Sequence, residues 1–169
     1  MAKSIPKLKV LIADPMPHMS ALVTTMLRAL KLRDVREVTD ATAAMAELQR
    51  REYDVLILDD GLKNLGSIEF TLKLRATEDC ANRHIPIIMM SGLPDAARIA
   101  KARDAGVNEF LRKPFSTQHL EARLKTILSV PRDFIAVEVY TGPDRRRRKA
   151  NYSGNERRTV GKPEPAAEG

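Results

Sequence analysis

The chain has 169 residues, 43% of them hydrophobic and 30% charged, with a formal net charge of +7, which is enough for one ordinary domain and an appendage. Four per cent aromatics and no Trp require an aliphatic core, and the single cysteine, Cys80, excludes a disulfide framework or a thiolate metal cluster and fits a reduced, cytoplasmic setting. No stretch approaches the ~20 apolar residues of a membrane span, and residues 1–8 lack the apolar run of a signal peptide, so a soluble chain is expected.

Residues 8–13 form a short apolar run predicted as a strand, and Met19, Leu22, Val23, Met26, Leu27 and Leu30 recur at helical spacing over 16–30. Strand 35–39 leads to helix 41–51, strand 54–58 to helix 65–76, strand 85–90 to helix 95–105, and strand 108–111 to helix 116–128. Five βα units thus fill the first 130 residues. Val55-Leu56-Ile57-Leu58 and Ile87-Ile88-Met89-Met90 are apolar without alternation, the pattern of strands covered by helices on both faces. The expected fold class is α/β, a doubly wound five-stranded parallel sheet flanked by helices. Functional groups in such sheets gather beyond the carboxyl ends of the strands, and here those ends carry Asp14, Asp59 with Asp60, Ser91, and Lys113 followed by Pro114.

Val10-Leu11-Ile12-Ala13-Asp14, Leu56-Ile57-Leu58-Asp59, Ile88-Met89-Met90-Ser91-Gly92, Ala105-Gly106-Val107 and Leu111-Arg112-Lys113-Pro114-Phe115 resemble, in order and spacing, the landmarks of CheY-like response-regulator receiver domains, which have a flavodoxin-like fold. The resemblance covers about residues 7–130 and implies Asp59 as phosphoacceptor, Asp14 as a magnesium ligand, Ser91 as the switch hydroxyl and Lys113 as the phosphate-binding lysine. A carboxylate that takes up a phosphoryl group needs cations around it to offset the charge on both.

Two departures weaken that expectation. The family places two acids after the first strand, whereas here the second position is Pro15, so the magnesium site formed by Asp14 and Asp59 should be weak. After Asp59 the loop reads Leu62-Lys63-Asn64-Leu65-Gly66-Ser67, which brings a lysine toward the site. Asp60 is expected to point to the opposite side of its strand from Asp59, since successive residues alternate. The acids and Lys113 therefore read either as a weakened phosphorylation site, served by a histidine kinase or a small phosphodonor, or as a polar cluster in a receiver that no longer switches.

The tail is distinctive. Residues 140–162 hold eight Lys and Arg against two acids, and so carry +6 of the chain's +7. Tyr140-Thr141-Gly142-Pro143-Asp144-Arg145-Arg146 returns twelve residues later as Tyr152-Ser153-Gly154-Asn155-Glu156-Arg157-Arg158. A guanidinium forks onto guanine N7 and O6, a carboxylate accepts from its N1 and N2 hydrogens, and a ring stacks on it. Two copies fit a ligand with two guanines, and Arg147 and Arg148 fit its phosphates. The segment also resembles the arginine-rich extension of the CheY-like cyclic di-GMP effectors (Cle proteins) of α-proteobacteria, which implies binding through Tyr140, Gly142, Pro143, Asp144, Arg145, Arg146, Arg147, Arg148, Tyr152, Glu156, Arg157 and Arg158.

The boundaries read as a receiver over 1–130, a short apolar connector over 131–139, an arginine-rich ligand-binding segment over 140–162 and a disordered end over 163–169. No helix-turn-helix pattern and no second core follow the receiver, so no DNA-binding domain is expected. The tail reading comes first: a non-enzymatic signalling adaptor that binds cyclic di-GMP and then a protein partner, to modulate motility or surface attachment. By resemblance that partner is the flagellar motor switch at the flagellated pole, approached through residues 96–105, 108–111 and 116–128. The alternatives are a phosphorelay receiver using Asp59 and a non-specific nucleic-acid or acidic-surface binder. His18, His84 and His119 are too scattered for a metal site, Phe110 suits a rotating aromatic or a core ring, and Arg98, Arg103 and Arg123 read as solvated helix faces.

Overall fold

The computed structural model of the chain describes residues 4–93, 95–129, 134–137 and 140–143. A single 3-10 turn at Ile5–Lys7 leads into β1 (Lys9–Ala13), α1 (Pro17–Ala29), β2 (Asp34–Val38), α2 (Ala41–Arg50), β3 (Val55–Asp59), α3 (Ser67–Ala76), β4 (Ile87–Ser91), α4 (Ala96–Ala105), β5 (Glu109–Arg112) and α5 (Thr117–Ser129). The five strands make one parallel sheet in the order β2-β1-β3-β4-β5.

The period-two geometry of a strand divides the core between two faces. Leu11, Leu56, Leu58, Ile87 and Met89 pack with Ala41, Leu48, Phe70, Leu74 and Ala102 from α2, α3 and α4. Their neighbours Val10, Ile12, Val55, Ile57, Ile88 and Met90 pack with Val23, Leu27, Leu120 and Leu124 from α1 and α5. Every residue of β3 and β4 is buried, which is why those strands carry no alternation in the sequence.

Local signals set the helix ends. Asp40 caps α2 by accepting from the N–H groups of Thr42 and Ala43 at 2.9 and 3.0 Å, and Asp95 caps α4 by accepting from Arg98 N–H at 2.6 Å. Gly106 ends α4 at φ 111°, a conformation that favours glycine. Among the helices on its face α4 is the poorest in apolar burial, with only Ala102 and Ala105 covered. Fully buried Arg75 of α3 ties the far end of this region together, donating to the carbonyls of Arg83, Ile85 and Gly106 at 2.6, 2.8 and 2.8 Å.

Two further strands, β6 (Phe134–Val137) and β7 (Tyr140–Pro143), pair antiparallel as a hairpin. β7 lies against α4 and α3, with Pro143 buried. The extended segment at 134–137 is anticipated by its apolar run. Its partner strand is not, because residues 138 and 139, Glu and Val, offer none of the Gly or Asn turn chemistry that marks a hairpin. The disordered end expected over 163–169 lies outside the described residues.

Candidate functional site

The carboxyl ends of β1, β3, β4 and β5 converge because these strands are neighbours in register. Three backbone bonds carry the pairing one residue past the strands: Asp14 N–H to Val38 O at 3.0 Å, Asp60 N–H to Met90 O at 2.8 Å and Lys113 N–H to Ser91 O at 2.9 Å. Each residue of the site thus stands on a fixed main chain.

Asp59, 7% exposed, closes β3, and Asp14, fully buried, follows β1. The Lys113 ammonium is ion-paired with Asp59 Oδ2 and lies 3.8 Å from Asp14 Oδ2. Asp59 Oδ1 accepts from Gly61 N–H at 2.8 Å, and Asp14 Oδ1 from Met16 N–H at 2.8 Å. A Cβ at Gly61 would stand 3.1 Å from Asp59 Oδ1, so this glycine permits the close approach of its N–H. Burial pushes the Asp14 carboxyl above its ordinary value and the nearby Asp59 charge adds to this, against the Met16 hydrogen bond and the charges of Lys113 and His18. Two carboxylates share one cation here, an arrangement that leaves excess negative charge.

Lys63 was the cation expected to intrude. Its side chain is exposed and its carbonyl accepts from Ala41 N–H at 3.1 Å, tying the loop to α2, while the cation on Asp59 is Lys113. The first two predicted roles, those of Asp14 and Asp59, share one pocket with Lys113. Asp60 and Ser91 belong to a second cluster beside it. Asp60 Oδ1 accepts from Ser67 Oγ at 3.0 Å and Oδ2 from Ser91 Oγ at 3.0 Å. Arg98 of α4 forks onto the same carboxylate, with Nε at 2.7 and 2.9 Å and Nη2 at 2.6 Å. Burial pushes the Asp60 carboxyl up, yet the hydrogen bonds from Arg98, Ser91 and Ser67 outweigh it and hold it below its ordinary value.

Arg98 and Arg123 are corrections to the sequence reading. Neither is simply a solvated cation, since Arg98 binds Asp60 and Arg123 Nη1 lies 3.4 Å from Glu109 Oε2. Arg98 is the residue that sequence reasoning missed, and the available signal was Asp60 itself, a carboxylate at a strand end that must find donors if half-buried.

A divalent cation fits the first pocket. Asp14 Oδ2 is buried and accepts no hydrogen bond, and an orphaned carboxylate oxygen beside a second carboxylate is a donor set for a hard ion. Asp14 and Asp59 would hold Mg2+, which would supply positive charge next to the acceptor. Pro15 adds no third acid, and no three His, Cys, Asp or Glu gather as a metal site among the described residues.

The profile of the response regulator receiver domain matches residues 10–125. The chain belongs to this family. It is 30% identical over 122 residues to the chemotaxis protein CheY1 of Helicobacter pylori, covering 72% of this chain and 97% of that protein. The chemotaxis protein CheY-3 of Vibrio cholerae is 28% identical over 120 residues, 71% of this chain and 91% of its own length. A solved receiver domain of a sensor histidine kinase from Pseudomonas aeruginosa, with a magnesium ion coordinated in its active-site cleft, superposes with a TM-score of 0.65 at 28% identity, covering 73% of this chain and 98% of that one.

As a receiver, the chain is a response-regulator signalling protein. The profile ends at residue 125, short of the arginine-rich segment. Of that segment Tyr140, Gly142 and Pro143 fall on β7. Asp144, Arg145, Arg146, Arg147, Arg148, Tyr152, Glu156, Arg157 and Arg158 lie outside the described residues. No helix among the described residues is long and apolar enough to cross a membrane.

Proposed function

We propose that the chain is a non-catalytic signalling receiver that takes a phosphoryl group on Asp59 from a histidine kinase or a small acyl phosphate. The observation that carries this is the pairing of Asp59 with Lys113 beside buried Asp14 at the strand ends, the arrangement that a phosphorylated carboxylate requires. An Asp59 oxygen forms the new P–O bond as the donor's P–N or P–O bond breaks, its electron pair leaving with the donor. Lys113, already on Asp59, offsets the negative charge that arrives, and Gly61 N–H fixes the orientation of the carboxylate. This gives the acid pocket priority over the tail, the reverse of the order read from the sequence, because the family match and the assembled pocket both speak to Asp59. Incubation with radiolabelled acetyl phosphate and Mg2+ should label the wild type and not Asp59→Asn, and equal labelling of both would refute the proposal.

A second reading rests on the doubled Tyr-x-Gly-x-acid-Arg-Arg motif, which a plain polyanion binder would not need. On this reading residues 140–158 bind cyclic di-GMP, with Asp144 and Glu156 each accepting from a guanine. A protein partner, the flagellar motor switch, then docks on the face of α4, β5 and α5. That face offers a shallow groove of ≈ 590 Å³ lined by Phe110, Pro114, Phe115, His119, Ala122 and Arg123. Calorimetric titration with cyclic di-GMP, cyclic di-AMP and GMP decides it. Binding selective for cyclic di-GMP supports the reading, and binding indifferent to the base and steeply salt-dependent replaces it with non-specific polyanion attraction.

A further inference from the structure

The position after the acceptor follows a strand whose residues are all buried, and a carboxylate there has no place in the core. In this chain it gathers donors from three elements: Ser67 from the start of α3, Ser91 from the end of β4 and Arg98 from the first turn of α4. Asp60 is also held through its main chain, with its own N–H bonded to Met90 O at 2.8 Å and its carbonyl 3.5 Å from Arg98 Nη2.

Two features make this cluster more than a satisfied charge. The hydroxyl that the family resemblance assigns to the switch, Ser91 Oγ, donates to Asp60 and not to Asp59. And α4, which buries only Ala102 and Ala105, has little apolar surface to fix it, so its N-terminal half depends on the Asp95 cap and the Arg98 fork. Elements with few buried apolar contacts open locally at low free energy unless polar bonds hold them.

We propose that Asp60 is a latch: one carboxylate holds the Ser91 hydroxyl away from Asp59 and, through Arg98, pins α4, so that switching of this receiver requires both bonds to be given up together. Because β7 lies against α4 and α3, the same latch sets the seat of the hairpin from which the arginine-rich segment continues, and so links the acid pocket to the tail. Asp60 is a positioning residue here, acting through Ser91 and Arg98. The brake on switching rests on Asp59 being the acceptor, whereas the hold on α4 does not.

The test uses the full chain with Arg98→Ala, Arg98→Lys and Asp60→Asn. Arg98 has a side chain 45% exposed, so its truncation leaves the core intact. Amide hydrogen exchange without ligand should quicken in Ala96–Ala105 and Tyr140–Pro143 by about tenfold in Arg98→Ala, the equivalent of one hydrogen bond to a charged group. α1 and α5 should be unchanged, and Arg98→Lys should recover part of the protection. Unchanged exchange in α4, or a rise spread evenly over all helices, would overturn the latch, and a rise in α4 with β7 unchanged would overturn the link to the hairpin. In a second arm, titration with beryllium fluoride and Mg2+ should give about tenfold tighter binding by Arg98→Ala and Asp60→Asn than by wild type. Equal affinity in all three would overturn the brake. No binding by any of them would overturn the Asp59 reading, with the exchange arm still deciding the hold on α4.

Discussion

Replacing Arg75 by Met keeps a long apolar stem in the core and removes only the guanidinium, so its effect isolates the polar tie among α3, β4 and the turn after α4. Three carbonyls lose a donor: Arg83 O at 2.6 Å, Ile85 O at 2.8 Å and Gly106 O at 2.8 Å. The Arg83 bond is partly buried and its carbonyl can turn to water, while the Ile85 and Gly106 bonds are buried. Two buried acceptors left without a donor cost about 1–3 kcal/mol each, so Arg75→Met should lose about 4 kcal/mol. In urea the midpoint should fall by about 2 M at unchanged slope, since m is about 2 kcal/mol/M for a domain of this size. A fall below about 0.5 M would show that the carbonyls find other donors and that the buried guanidinium does not organise this corner. Gly106→Ala provides an internal control. Its Cβ would stand 2.9 Å from Arg75 Nε, at φ 111°, so part of its cost should vanish in the Arg75→Met background while the backbone strain of about 1–2 kcal/mol persists. Strict additivity of the two changes would contradict the contact.

Asp14→Asn should stabilise the protein by about 1–2 kcal/mol at neutral pH, because it removes a buried charge with an unsatisfied oxygen, and should weaken Mg2+ binding. The folded-state pKa of Asp14 is raised, so its charged form opposes folding above that value and not below its unfolded value. The gain from Asp14→Asn in thermal melts should therefore be greatest near pH 7 and disappear below about pH 4. Asp60 has the opposite sign, its folded pKa being lowered, so the loss from Asp60→Asn should be fully present at neutral pH and fade as pH falls through that lowered value. Lys113→Met should slow acyl-phosphate formation by about 10²-fold, as expected for loss of one fixed group that stabilises developing charge. Asp144→Ala should lose about 1–3 kcal/mol of the calorimetric preference for cyclic di-GMP over cyclic di-AMP, and an unchanged preference would remove guanine readout by that acid.

The strand and helix positions were legible because the two physical signals were clean. The unalternating runs at 55–58 and 87–90 could only be strands covered on both sides, and the helical spacing of 19–30 had no competing period. Asp14, Asp59 and Lys113 could be placed together because neighbouring strands in a parallel sheet bring their carboxyl ends to one edge. What was not legible depends on pairs distant in sequence and set by orientation. The Asp60–Arg98 fork spans 38 residues, and nothing at position 98 distinguishes it from Arg103, an exposed neighbour on the same helix. The direction of the Ser91 hydroxyl, toward Asp60 and not Asp59, is a rotamer outcome that no residue pattern encodes. The hairpin escaped for a third reason, since the sequence between its two strands, Glu138-Val139, carries no Gly, Asn, Asp or Pro to signal one.

The central claim, that Asp59 is the acceptor, is tested most directly by trapping the modified residue. Wild-type protein treated with a small phosphodonor and Mg2+ and then reduced with borohydride converts an acyl phosphate on aspartate to homoserine, which peptide mass spectrometry locates. The account predicts homoserine at position 59, its loss in Asp59→Asn and a strong reduction in Lys113→Met. Homoserine at position 14 or 60, or none at any aspartate under conditions that label a CheY protein, would contradict it.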